Sequence, residues 1–309
     1  MGACTAAALA GTVAIEPATI EATTTSGFEH VRRPISNPTL FDLALPTTNV
    51  HPIVMYQNLP STVNTTVGPL PMGGHAEVYA LQFEIAFNER LSLVATKDGY
   101  VRIKPDEPSL WNKQSGFANI AAGLKYAFVY DPANSFAVSG TATYEFSSGN
   151  HDVYQGEGEG GAVNLLLSTV KVWDRLQVAA AGGAHLPLDG QLSSSSFVSG
   201  HASYEVMPWF IPLVELNWHH VLSAGNGRSN FSGQALGLTP AVAAFEGSDL
   251  LNFGAANSTM NRDFVTAAVG FRSRLTDSVD LGFAYEIPLS GKNDSVMEDR
   301  FTADLVWRF

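Results

Sequence analysis

The stretch NWHHVLSAGNGRSN, residues 217–230, gathers the side chains most suited to covalent chemistry in this chain. A serine hydroxyl becomes a nucleophile when an imidazole within hydrogen-bond reach takes its proton and a third group orients that imidazole. The available groups are His219, His220 and Ser223. Side chains of an extended strand alternate between faces, so His219 and Ser223 share a face four residues apart while His220 points the other way. Asn226-Gly227 reads as the turn that follows. The spacing argues for a histidine pair at the rim of a strand and against a hydrolytic centre.

Other reactive groups are scattered. Asp152, Glu157 and Glu159 offer oxygens to a calcium ion, but they lack the alternation of a defined calcium loop, and an acidic surface loop is the expectation. His51, His151, His185, His201 and His219 stand one per strand or loop, with no paired metal spacing. The single cysteine, Cys4, leaves no disulfide and no thiolate metal centre, and fits an oxidising compartment that the chain does not exploit. No metal and no cofactor is expected.

The elements that position these residues follow a period of two. At the end of the chain, Phe301, Ala303, Leu305, Trp307 and Phe309 share one face, and Thr302, Asp304, Val306 and Arg308 share the other. Val279, Leu281, Phe283, Tyr285 and Ile287 alternate with Asp280, Gly282, Ala284 and Glu286 in the same way. The polar faces carry small residues with isolated charges, which suits a crowded wet interior better than a soluble surface.

Twelve such strands are expected, near 48–58, 76–88, 91–103, 117–130, 135–147, 161–172, 176–187, 196–206, 209–222, 263–275, 279–289 and 299–309. Their connections alternate strictly between short turns and long loops, and aromatic residues collect near both strand ends. Even strand number, one-sided long loops and two aromatic belts predict an all-β fold, a transmembrane antiparallel up-and-down barrel of about 12 strands. Lys97 is expected on the lipid face, with a bulge at Asp98-Gly99 resetting the register beyond it. The facing of Leu165, Leu166 and Leu167 stays open.

Composition agrees. Of 309 residues only 15% are charged and 28 are Gly, and the net charge is −12. Soluble domains carry about 25% charged residues. No cluster of Lys and Arg provides for nucleic acid, and no apolar run is long enough for a membrane-spanning helix. Residues 1–17 read as a truncated secretory signal without its positive n-region, residues 18–47 as a periplasmic tail or plug, and 48–309 as the barrel. The apolar tail RRPISNPTLFDLALP, residues 32–46, is expected to enter the lumen from the periplasm.

On this facing Glu84, Lys125, Glu145, Glu205, Glu215, Arg272, Arg274, Asp280, Glu286, Asp304 and Arg308 point inward and line the lumen. They form either an internal ladder of ion pairs or a selectivity ring, and the two are compatible. Acids outnumber bases, so an open pore favours cations.

The closing strand resembles the assembly signal of bacterial outer-membrane proteins, which implies that Trp307 and Phe309 are read by the barrel-assembly machinery. YEFSSGNHDVYQGEGEGG, residues 144–161, resembles a loop of outer-membrane transporters of the phenol-degradation (MetA-pathway) type. Gly149, Gly156, Gly158 and Gly160 occupy the family's glycine positions, while Ser147-Ser148 stand where Pro-Thr is usual. The resemblance implies a Gram-negative outer-membrane location, contact with outer-membrane lipid, and passive passage of small solutes. The 217–230 stretch resembles outer-membrane phospholipases in its residue types but not in their spacing. A lipid-modifying hydrolase and a non-conducting adhesion or structural barrel, working through the Ser223–Arg262 loop, are the alternatives to a channel.

Overall fold

Alternation of apolar and polar residues folds into one closed sheet. The computed structural model describes residues 27–29, 31–156, 158–227 and 237–309; the signal-like segment 1–17 and Glu157 lie outside them. The strands are β1 (Asn49–Asn58), β2 (Thr62–Thr65), β3 (Gly68–Pro71), β4 (His75–Ala86), β5 (Leu91–Lys97), β6 (Tyr100–Lys104), β7 (Gln114–Phe117) and β8 (Ile120–Asp131). They continue as β9 (Phe136–Phe146), β10 (Ala162–Trp173), β11 (Leu176–Pro187), β12 (Ser194–Tyr204), β13 (Ile211–Ser223), β14 (Asp263–Arg274), β15 (Val279–Pro288) and β16 (Asp299–Arg308). The pair β2–β3 is a small hairpin in the first long loop.

Each remaining strand pairs antiparallel with its neighbours, and β1 pairs with both β4 and β16, which closes the ring. A bulge divides the third barrel strand into β5 and β6, and an irregularity divides the fourth into β7 and β8. The barrel therefore has twelve strands, as the sequence predicts. Among the described residues closure leaves only β7 of the barrel, at the long-loop end, with a single strand partner; pairing of the strands below it is the condition for crossing a lipid bilayer with β structure.

The observed register settles the two open points. In the pairing of β5 with β8 the shift falls between Ala95 and Lys97, ahead of Asp98-Gly99. The shift turns Lys97 into the lumen, where Nζ donates to Glu145 Oε1 at 2.5 Å, so its expected place on the lipid face is corrected. Gly99 (φ 123°) follows the bulge, and a Cβ there would stand 2.7 Å from the Tyr79 carbonyl oxygen. In β10, Leu165 and Leu167 are exposed outward, while Leu166 turns inward and packs against the N-terminal segment.

Large apolar residues form the outer face. Val54, Leu81, Phe83, Leu124, Val198, Val214, Leu216 and Val269 are exposed there. Aromatic pairs border this band at both ends, Tyr285 on Phe301 (4.6 Å) and Tyr144 on Phe146 (4.7 Å) on the long-loop side, Trp307 on Phe309 (4.8 Å) on the short-turn side.

Candidate functional site: a charged lumen crossed by the N-terminal segment

Residues 31–46 lie inside the barrel, most of them buried. Small side chains in the wall make room for them. Phe28, Val31, Phe41, Leu43, Ala44 and Leu45 pack against Ala137, Val170, Ala179 and Ala181 of β9, β10 and β11. Gly282 serves the same end on β15, because a Cβ there would stand 2.3 Å from Asp304 Oδ1 and 2.7 Å from Ile35 Cδ1.

Polar contacts tie the segment to β11, β13, β14 and β16. Glu215 accepts the backbone N–H groups of Ile35 (3.0 Å) and Ser36 (2.7 Å), and His201 Nδ1 lies 2.7 Å from the same carboxylate. Gln177 bonds both the N–H and the carbonyl of Arg32. Arg272 donates to the carbonyl of Arg33 and forks onto Asp304 at 3.0 and 2.8 Å. Asp304 in turn meets His51 Nε2 at 2.7 Å, and the other nitrogen of His51 meets Gln82. Two fixed N–H donors and a paired arginine fork hold a chain in one register far better than apolar contact alone.

The segment's own charges extend the network. Asp42 pairs with Arg33 (2.8 Å) and with Lys125 (2.7 Å), and Lys125 also bonds Glu84 at 2.9 Å. Arg32 pairs with Glu205 at 3.3 Å, which is shared with Arg274 at 3.0 Å. Asp280 pairs with Arg308 at 2.8 Å near the short-turn rim. Glu145 is held by Lys97 and by Asn119 Nδ2 (2.9 Å).

One arginine that the sequence reading left out joins three parts of the molecule. Arg300 donates to Glu286 on β15 (2.6 Å), to Asp249 of the long 224–262 loop (2.9 Å) and to the Ser36 carbonyl of the N-terminal segment (2.6 Å). Arg300 shares the parity of Thr302 and Asp304, so alternation alone places it inward; its neighbours come from a loop and a tail that no period describes. The same parity in β1 places His51 inward with Ile53 and Met55.

All eleven sequence-named lumen residues lie on the inward face, each in an ion pair or hydrogen bond with a neighbour. Trp307 and Phe309 lie exposed at the short-turn rim. Two rings that begin from the same stretch of sequence part company: His219 is buried and faces the lumen, while His220 turns outward to Asp263. Among the described residues no hydrogen bond joins either histidine to Ser223. Asp152 is exposed in a short turn, His151–Val153.

On the long-loop side the lumen is closed differently. Ile53, Met55, Val78, Val101 and Ile103 line the inner wall of β1, β4 and β6, and Trp111, Tyr154, Phe245, Phe253 and Val296 from the loops pack on them. Between this apolar wall and the polar side chains Asn164, His185, His219, Glu246 and Asp249 lies a divided chamber, floored by Pro38 and Thr39 and roofed by Leu250 and Leu251. Glu246 accepts the N–H groups of Phe253 and Ala255 and the Ser193 hydroxyl. Its burial dominates these bonds and raises its pKa from 4.5 to about 7.

A closed antiparallel barrel with an apolar outer band, aromatic borders and a charged interior defines a transmembrane β-barrel of the outer-membrane type. Its fold is shared with an outer membrane channel from Pseudomonas putida F1, at a TM-score of 0.57 and 15% identity over 85% of this chain and 96% of that one. The NanC porin aligns at 0.48 and 8% identity over 85% and 100% of the two chains, and the KdgM porin at 0.42 and 11% over 83% and 99%. At such identities the likeness is one of fold. No protein-family model matches the sequence, and no curated protein matches it.

Proposed function

We propose that this protein is an outer-membrane channel for passive passage of small solutes, with the lumen obstructed by its own N-terminal segment. The observation that carries the reading is the course of residues 31–46 through a charge-lined barrel, held by Glu215, Arg272 and Arg300. Filled eight-stranded barrels need no such insert and wide porins leave an open bore; a twelve-stranded barrel lies between them. The short turns face the periplasm, so the N-terminal segment enters from that side, and Trp307 and Phe309 address the chain to the assembly machinery. The glycine pattern of residues 144–161 supports a transporter of the MetA-pathway type. The chamber beyond the segment, with one apolar and one polar wall, suits small solutes that carry both kinds of surface.

Removing the segment takes two arginines and one aspartate, Arg32, Arg33 and Asp42, out of a lumen whose remaining wall charges are mainly acidic. Planar-bilayer recording of the purified protein, with and without residues 1–46, tests the reading. The shortened protein is expected to conduct more and to prefer cations.

A further inference from the structure

The outward face of the barrel carries a constellation that strand register alone assembles. Ser196 on β12 stands directly opposite His220 on β13, and His220 stands directly opposite Asp263 on β14. The three residues form one lateral row across adjacent strands, at the long-loop rim. His220 Nδ1 lies 2.8 Å from Asp263 Oδ1, and Trp218 Nε1 donates to the same oxygen at 2.8 Å. Nδ1 is taken by β14, the other ring nitrogen carries no hydrogen bond among the described residues, and Ser196 is the residue opposite His220 on the β12 side.

Directly opposed side chains of an antiparallel ladder have Cβ atoms about 4.5–5.5 Å apart. No hydrogen bond joins Ser196 to His220 in the structure; a change of the Ser196 rotamer, or one water, has to span what remains to Nε2, and such contacts are often loose before substrate binds. Among the described residues no hydrogen bond commits the Ser196 hydroxyl elsewhere. The row is open to the outside, with the His220 side chain 26% and the Asp263 side chain 57% exposed. Immediately below it on the same face stand Val198, Leu216 and Trp218, all exposed, so a molecule with an apolar tail and a polar head has a surface for each.

We propose that Ser196, His220 and Asp263 form an acyl-ester hydrolase site that acts on lipids of the outer leaflet. The proposal rests on the outer-membrane placement given above. Ser196 Oγ attacks the ester carbonyl carbon while its proton passes to His220 Nε2, and Asp263 holds the Nδ1–H and stabilises the imidazolium. The tetrahedral intermediate expels the lysolipid alkoxide, which takes the proton from Nε2. Water, deprotonated by the same nitrogen, then hydrolyses the acyl–Ser196 ester and releases a fatty acid. The oxyanion forms at the hydrated rim, where water and headgroup donors meet its charge, so turnover is slow.

The full chain in detergent micelles is treated with a fluorophosphonate probe, and the labelled residue is identified by mass spectrometry. Fatty-acid release is followed on the same protein in phosphatidylethanolamine–phosphatidylglycerol vesicles. Labelling at Ser196 is expected, lost in Ser196→Ala, with fatty-acid release down at least ~100-fold in Ser196→Ala and in His220→Gln. Asp263→Asn is expected to lower release and shift its pH profile, a readout that loss of a structural contact alone does not give. Absence of labelling in the wild-type protein, labelling at a different serine, or release unchanged in Ser196→Ala overturns the proposal. Because Ser196 faces outward, Ser196→Ala retains wild-type conductance, so failure of this site and failure of the channel reading are separately visible.

Discussion

The inner wall formed by β13 to β16 and the inner wall formed by β1, β4 and β6 adjoin at the β16–β1 seam of one lumen, yet they engage their contents by different physics. The first presents Glu215, Arg272, Glu286, Arg300 and Asp304 and grips the N-terminal segment through oriented hydrogen bonds and ion pairs. The second presents Ile53, Met55, Val78, Val101 and Ile103 in its long-loop half and takes loop side chains by apolar burial. Ion pairs in a buried network are costly to break singly, because the partner stays behind as an unpaired charge. Apolar contacts weaken in proportion to what is removed. The polar wall therefore fixes position, and the apolar wall contributes cohesion.

The largest expected effect falls on the polar wall. Arg300→Ala leaves Asp249 and Glu286 buried without their cation, and a loss of about 3–5 kcal/mol is expected. The midpoint of urea unfolding in micelles, followed by the shift of the folded band on unheated gels, measures it. The same replacement frees the loop and the N-terminal segment together, which double labelling of both segments in hydrogen exchange distinguishes from a local change.

A smaller effect is expected on the apolar wall. Ile53→Val trims one methylene from the apolar wall and costs about 0.5–1.5 kcal/mol by the same unfolding measurement, with no change in exchange of the N-terminal segment. If the two replacements were equally costly, the contrast between the walls would not hold.

A further contrast, confined to the loop that covers the apolar wall, is one of pH. Glu246 has a pKa of about 7 in the packed loop and 4.5 in the opened one, so the packed loop holds the extra proton between those values. Stability of the packed loop is then greatest at the acid end and declines as pH rises from 4.5 to 7. Protection factors of residues 243–256, corrected for the base-catalysed intrinsic exchange rate, are expected to be higher at pH 5 than at pH 8. Glu246→Gln, which stays neutral, is expected to flatten that difference.

Much of the barrel was legible because alternation is a local property. Phe301 to Phe309 shows its two faces in nine residues, and the loop lengths count the strands. What alternation does not contain is register. Lys97 changed faces because the shift sits between Ala95 and Lys97, just ahead of the Asp98-Gly99 pair at which the sequence places the bulge. Arg300 has the right parity, but its meaning comes from Asp249 and Ser36, brought from 51 and 264 residues away. The 217–230 stretch drew notice for a histidine and a serine on one strand; the pairing that the fold provides runs across strands, from Ser196 through His220 to Asp263. Side chains beside each other in space were far apart in the chain, and no single-strand spacing reports them.

The central claim is that residues 31–46 occupy the path through the barrel. Planar-bilayer conductance of the refolded protein, compared with that of the same protein lacking residues 1–46, tests it most directly. A higher and more cation-selective conductance in the shortened protein is predicted. Equal conductance and equal selectivity in a properly folded, shortened barrel would contradict it.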